Sequence, residues 1–199
     1  MTKPKLIIFS SGTKTGGGSG FENLVIASRE GILDADIICV ISNHQSGGVR
    51  ERALRLGIPF VHFNGPFTKE KYQEITSGAD FVTLSGWLKL VTGLDPKRTF
   101  NIHPGPLPKF GGPGMYGHHV HEAVMKAYHL GEITHSAVTM HFVTEEYDEG
   151  PVFFEMPVEI LSDDTPETLA ARVNMIEHKF QPIVTNDVIY GRIKWNRPD

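Results

Sequence analysis

Five short apolar runs punctuate the first half of the sequence, at residues 6–9, 37–41, 59–63, 81–84 and 99–102. Between them lie stretches whose apolar residues keep helical spacing, among them 21–29, 49–56 and 69–77. Strand and helix in alternation predict a parallel sheet with helices on its faces. The run at 6–9 suits a buried parallel strand and is far too short for a signal segment or a membrane span. Gly57 and Gly78, each just past a helical stretch, are expected to stop those helices.

The grammar changes after His121. Residues 134–143 alternate, with Val138, Met140 and Phe142 on one face and Thr139 and His141 on the other. Residues 152–160 follow an acidic stretch at 144–150, so the two runs predict an antiparallel hairpin. Asp163, Asp164, Thr165 and Pro166 then open a long helix, with Pro166 suited to its first turn. Leu169, Val173, Ile176, Phe180, Ile183 and Val184 keep one apolar face, and Pro182 is expected to kink it. The chain of 199 residues reads as a single α/β domain, a Rossmann-like, mostly parallel sheet. Its C-terminal hairpin and helix are expected to close over that sheet. Residues 1–100 form a phosphate- and nucleotide-binding half, and 101–199 a catalytic half.

Charge and cysteine content remove several classes. A net charge of −4 argues against a nucleic-acid partner, which asks for a basic face. Cys39 is the only cysteine, which excludes internal disulfides and thiolate metal sites. The simplest expectation is a soluble cytoplasmic protein with small-molecule partners and no membrane partner; a homodimer is compatible with the sequence.

Three stretches carry chemistry. Asn101 and His103 stand two apart at the end of an apolar run and so share one face of a strand. Pro104, Pro106 and Pro108 end that strand. The pair reads either as two donors aimed at one reacting atom or as an ordinary strand end with a capping Asn and an exposed His. The glycine-rich residues 16–20 follow the first strand and precede a helix, a position where backbone N–H groups hold phosphate. The spacing fits neither a Walker loop nor a dinucleotide fingerprint. Seven of the ten histidines lie between His103 and His141. His118 and His121 have helical spacing, yet without an H-E-x-x-H pattern or a cysteine they make a weak zinc signal.

In order along the chain, residues 18–24 (Gly-Ser-Gly-Phe-Glu-Asn-Leu), 85–90 (Ser-Gly-Trp-Leu-Lys-Leu), 101–104 (Asn-Ile-His-Pro), 107–112 (Leu-Pro-Lys-Phe-Gly-Gly) and 141–151 (ending Tyr-Asp-Glu-Gly-Pro) resemble the folate-dependent formyltransferases. Length and the late helix containing Glu177 and His178 point to the glycinamide ribonucleotide branch. The resemblance implies transfer of formyl from 10-formyltetrahydrofolate, as co-substrate, to the amine of glycinamide ribonucleotide, without a metal. It implies a catalytic trio of Asn101, His103 and Asp148, with Asp148 holding His103 as imidazolium. It also implies phosphate binding by Gly18, Ser19 and Gly20, and ribose binding by Glu177. Folate is expected against Trp87, Leu88, Lys89, Leu90, Val143, Thr144, Glu145 and Asp148, and a cis bond at Leu107–Pro108.

The chain departs from the family pattern in a longer glycine loop, in Gly20 where asparagine is common, and in Lys89 where arginine is usual. Backbone contacts to phosphate are therefore expected in place of side-chain ones, and a point charge at Lys89 in place of a fork. Other readings are a formyltransferase acting on another amine, a formyltetrahydrofolate hydrolase, and a non-catalytic folate- or nucleotide-binding module. The transfer-RNA enzyme carries a further C-terminal domain and the hydrolase an N-terminal one. Here only residues 191–199 follow the last helix and residues 1–5 precede the first strand, which counts against both. The intact trio counts against the non-catalytic module.

Overall fold

The first strand, β1 (Lys5–Phe9), anchors the sheet, with Leu6, Ile7, Ile8 and Phe9 all buried. It pairs in parallel with β2 (Asp36–Ser42) on one side and β4 (Phe81–Ser85) on the other. Successive side chains of a strand point to opposite faces. Leu6 and Ile8 accordingly enter a large core with Phe21, Leu24 and Val173, while Ile7 and Phe9 enter a smaller one with Tyr72 and Trp87. A strand buried on both faces reads as a continuous apolar run, which is why the first half was legible as parallel sheet.

The computed structural model describes residues 2–196; residue 1 and residues 197–199, at the ends of the two flanking segments, lie outside the described residues. Among the described residues there are seven strands in the order β3-β2-β1-β4-β5-β6-β7. The others are β3 (Phe60–His62), β5 (Thr99–His103), β6 (His135–Phe142) and β7 (Val152–Glu159). The first five are parallel, while β6 pairs antiparallel with β5, and β7 with β6. The helices are α1 (Ser19–Arg29), α2 (Gly48–Leu56), α3 (Lys69–Thr76), α4 (His118–His129) and α5 (Pro166–Ile189).

Two local expectations need correction. The late hairpin does not close over the sheet; it extends it, because β6 finds its partner in β5 and is buried from Ser136 to Phe142. Gly57 does end α2 in the left-handed conformation, but α3 ends at Ser77 in a right-handed one, so Gly78 has no such role. The helix α5 runs through Pro182 unbroken. Proline has no N–H for the carbonyl of His178, and the side chain of Asn23 in α1 donates to that carbonyl at 2.8 Å instead. Thr165 caps the same helix with a reciprocal bond to Thr168, and Pro166 takes the first turn as expected.

Candidate active site

Strand order reverses between β1 and β4, and in open α/β sheets the crevice at such a reversal, beyond the carboxyl ends of the strands, is where ligands bind. A cavity of about 560 Å³ occupies this place. Ser10 after β1, Ser85 and Trp87 around the end of β4, and Asn101 and His103 at the end of β5 all line it. The glycine loop closes one side, the 112–117 loop another, and Asn174, Glu177 and Gln181 of α5 a third.

Asn101 and His103 share a face of β5, as their spacing requires, and Asp148 reaches them from the loop between β6 and β7. Oδ2 of Asp148 lies 3.7 Å from Nδ1 of His103, and Oδ1 accepts from Nδ2 of Asn101 at 3.5 Å. The backbone N–H of Gly112 donates to Oδ2 at 3.0 Å. His103 is buried, and its Nε2 donates to the carbonyl of Phe110 at 2.8 Å. A carbonyl can only accept, so the hydrogen of the neutral ring sits on Nε2 and Nδ1 is the atom left to take a proton.

Electrostatics here differ from the sequence expectation in one respect. Burial pushes His103 below its ordinary value, outweighing the pull of the Asp148 charge in the other direction. His103 therefore rests as neutral imidazole, not as imidazolium. For Asp148, burial alone would raise the pKa, but the His141 hydrogen bond, the neighbouring His103 ring and the Gly112 N–H together hold it below the usual carboxylate range. Asp148 stays ionised.

The loop that delivers Asp148 is tightly specified. Asp148 is the only described non-glycine residue with positive φ, at 57°, a conformation held only where surrounding contacts impose it. A Cβ on Gly150 would collide with the carbonyl oxygen of Phe142, so only glycine lets the chain pass there. On the facing side, Leu107–Pro108 is cis, as expected.

His141 is the residue that sequence reasoning missed. It is buried opposite Asn101 in the β5–β6 pairing, with Nε2 3.1 Å from Asn101 Nδ2 and 3.3 Å from Asp148 Oδ1. Its place on the polar face of an alternating strand was readable; its partner strand and register were not. His121 was also missed: it is buried on α4, lines the cavity, and has Nδ1 unpartnered. Burial lowers its pKa to about 4. His118 and His119 are exposed beside Glu122. Among the described residues, no group of three or more His, Cys, Asp or Glu could hold a metal ion.

Gly18, Ser19 and Gly20 all line the cavity, with Gly18 left-handed (φ 82°) at the start of α1. Glu177 lines it as well, its carboxyl pushed up to about 7 by burial and held by Asn174 Nδ2 at 3.2 Å. The residues expected at folate divide. Trp87, Leu88 and Asp148 line the large cavity, whereas Val143, Thr144 and Glu145 line a second one of about 480 Å³ with Val91, Leu94 and Trp195. Trp195, beyond the last helix, packs edge-on against Phe142 and escaped the sequence reading. Lys89 and Leu90 line neither cavity. Lys89 Nζ lies over the Phe67 ring, and the Leu90 carbonyl accepts from the Tyr72 hydroxyl at 2.9 Å.

A carboxamide, an imidazole and a carboxylate converging at the switch point of a doubly wound sheet, beside a glycine loop at a helix start, define an enzyme of group transfer to or from a phosphorylated small molecule. The chain belongs to the formyl transferase family, whose sequence pattern matches residues 5–185. It is 37% identical over 208 residues to the chloroplastic phosphoribosylglycinamide formyltransferase of Arabidopsis thaliana, covering 97% of this chain and 68% of that protein. It is 30% identical over 195 residues to the phosphoribosylglycinamide formyltransferase of Haemophilus influenzae, covering 90% of this chain and 86% of that one. Among solved structures, glycinamide ribonucleotide transformylase 1 from Symbiobacterium toebii superposes with a TM-score of 0.83 at 29% identity, over 98% of this chain and 92% of that chain.

Proposed function

We propose that the protein transfers the formyl group of 10-formyltetrahydrofolate to the amine of glycinamide ribonucleotide, a step of purine biosynthesis. The observation that carries this reading is the single cavity shared by Asn101, His103 and Asp148, by the glycine loop at Gly18, Ser19 and Gly20, and by Glu177. The phosphate sits on the loop amides, the ribose hydroxyls on Glu177, and the glycinamide amine at the trio. The pterin takes the smaller cavity behind the 143–148 loop. Residues 1–100 supply the phosphate site and 101–199 the catalytic trio.

The amine attacks the formyl carbon and a tetrahedral oxyanion forms. Asn101 Nδ2 donates to that oxygen, and a preorganised donor of this kind contributes about 3–4 kcal/mol to transition-state stabilisation. The attacking nitrogen becomes cationic and gives up a proton, directly or through a water held by Asp148, to Nδ1 of His103. A neutral His103 with Nδ1 free suits this step better than an imidazolium would. The imidazolium so formed is stabilised by the Asp148 carboxylate and returns the proton to the departing folate nitrogen as the carbon–nitrogen bond breaks. The products are a formamide and tetrahydrofolate. Ionic, phosphorylated substrates do not cross lipid unaided, which suits a cytoplasmic enzyme, and no described helix is long and apolar enough to span a membrane.

The test is a steady-state assay of formyl transfer with glycinamide ribonucleotide, amino-sugars and water as competing acceptors. Preference for glycinamide ribonucleotide is expected. Formate release without transfer would favour a hydrolase instead.

A further inference from the structure

Gln181 lies on α5 one turn beyond Glu177, on the same helix face. Its side chain is fully buried, yet it lines the large cavity, and neither Nε2 nor Oε1 has a hydrogen-bond partner in the protein. A primary amide carries two donors and an acceptor, and burying it unpaired costs free energy that leucine or methionine would not incur. Buried polar groups left orphaned in a folded chain call for a specific explanation. The neighbouring backbone is built around this amide. A Cβ on Gly20 would strike Ser85 Oγ and approach Oε1 of Gln181 to 3.4 Å, so only glycine lets the start of α1 pack this close to Ser85 and the amide.

We propose that Gln181 is a specificity-determining residue for the sugar of the acceptor, with Nε2 donating to one ribose hydroxyl and Oε1 accepting from another. The assignment rests on the reading that this cavity holds a ribonucleotide amine. A hydroxyl both donates and accepts, which matches an amide, whereas phosphate offers only acceptors and would leave Oε1 unpaired. Glu177, one turn away, can accept from the same diol. Carboxylate and carboxamide together select a hydroxylated sugar over an unsubstituted linker, because an analogue lacking the hydroxyls leaves both groups buried and unpaired.

The test uses Gln181→Leu and Gln181→Met in the full chain. Calorimetry measures binding of glycinamide ribonucleotide and of its 2′,3′-dideoxy analogue, kinetics gives KM for 10-formyltetrahydrofolate, and thermal denaturation is followed without ligand. The variants are expected to melt no lower than the parent, to bind glycinamide ribonucleotide roughly tenfold more weakly, and to leave the formylfolate KM and the binding of the dideoxy analogue unchanged. Unchanged affinity for glycinamide ribonucleotide would overturn the proposal. So would a lower melting temperature with both substrates weakened alike, the mark of a structural role. If the parent protein bound no glycinamide ribonucleotide, the functional reading would fail before any variant was made, and the inference with it.

Discussion

Asp148 Oδ2 stands 3.7 Å from Nδ1 of His103, although one residue ends a parallel strand and the other rides on a loop between two antiparallel ones. The junction of β5 with β6 makes this meeting unavoidable. Asn101 is paired with His141 and His103 with Thr139, so the loop leaving β6 emerges beside the two donors. The parallel half of the sheet builds the crevice, and the antiparallel extension delivers the carboxylate into it.

Gly150→Ala should therefore damage activity from outside the trio. The added methyl collides with the Phe142 carbonyl, and relief requires the Asp148 loop to move. A loss of stability above about 1 kcal/mol is expected in denaturant melts, with a fall in kcat larger than the change in either KM.

The two buried histidines should draw stability down on mild acidification, against an opposing contribution from Glu177. His103 and His121 are both buried with pKa values below their ordinary one, and for His121 the value is about 4. The unfolded chain takes up protons as pH falls below about 6.5, while the folded protein resists. The histidine contribution is thus full above pH 6.5 and drains away down to about pH 4, while Glu177, pushed up to about 7 in the folded protein, contributes stability that grows over the same range as pH falls. The His121 share is up to about 3 kcal/mol. Thermal melts of the parent beside His121→Asn check it: the parent's advantage over the variant should shrink as pH falls toward 4.

Glu177 makes substrate binding pH-dependent as well. Its carboxyl titrates at about 7, and a diol donates to the carboxylate form better than to the acid. Affinity for glycinamide ribonucleotide should rise with pH up to about 7, with proton release on binding. Calorimetry in buffers of different ionisation enthalpy measures that release, and Glu177→Gln should abolish it.

The glycine loop offers a check that needs no substitution. Ribonucleotide binding should protect the amides of residues 16–20 from hydrogen exchange, because a phosphate seated there accepts from them. Unchanged exchange would leave the loop as a connector.

What could be read from the sequence divides along physical lines. Strands buried on both faces announce themselves as apolar runs, so the parallel half was legible, as were the shared face of Asn101 and His103 and the Thr165–Pro166 helix start. The hairpin was legible as a hairpin, but its pairing with β5 was not, because register is a long-range property that no local pattern encodes. His141 went unnoticed for that reason. Trp195 and His121 escaped because lining a cavity depends on what packs opposite. The protonation of His103 was misjudged because burial, which outweighs the Asp148 charge, cannot be read from residue spacing.

The most direct measurement is single-turnover and steady-state formyl transfer by Asp148→Ala beside the parent protein, with both substrates' binding measured separately. Loss of the carboxylate removes the group proposed to stabilise the His103 imidazolium, so kcat should fall at least about a hundredfold while both ligands still bind. An Asp148→Ala protein that turned over at near-parental rate would contradict the account.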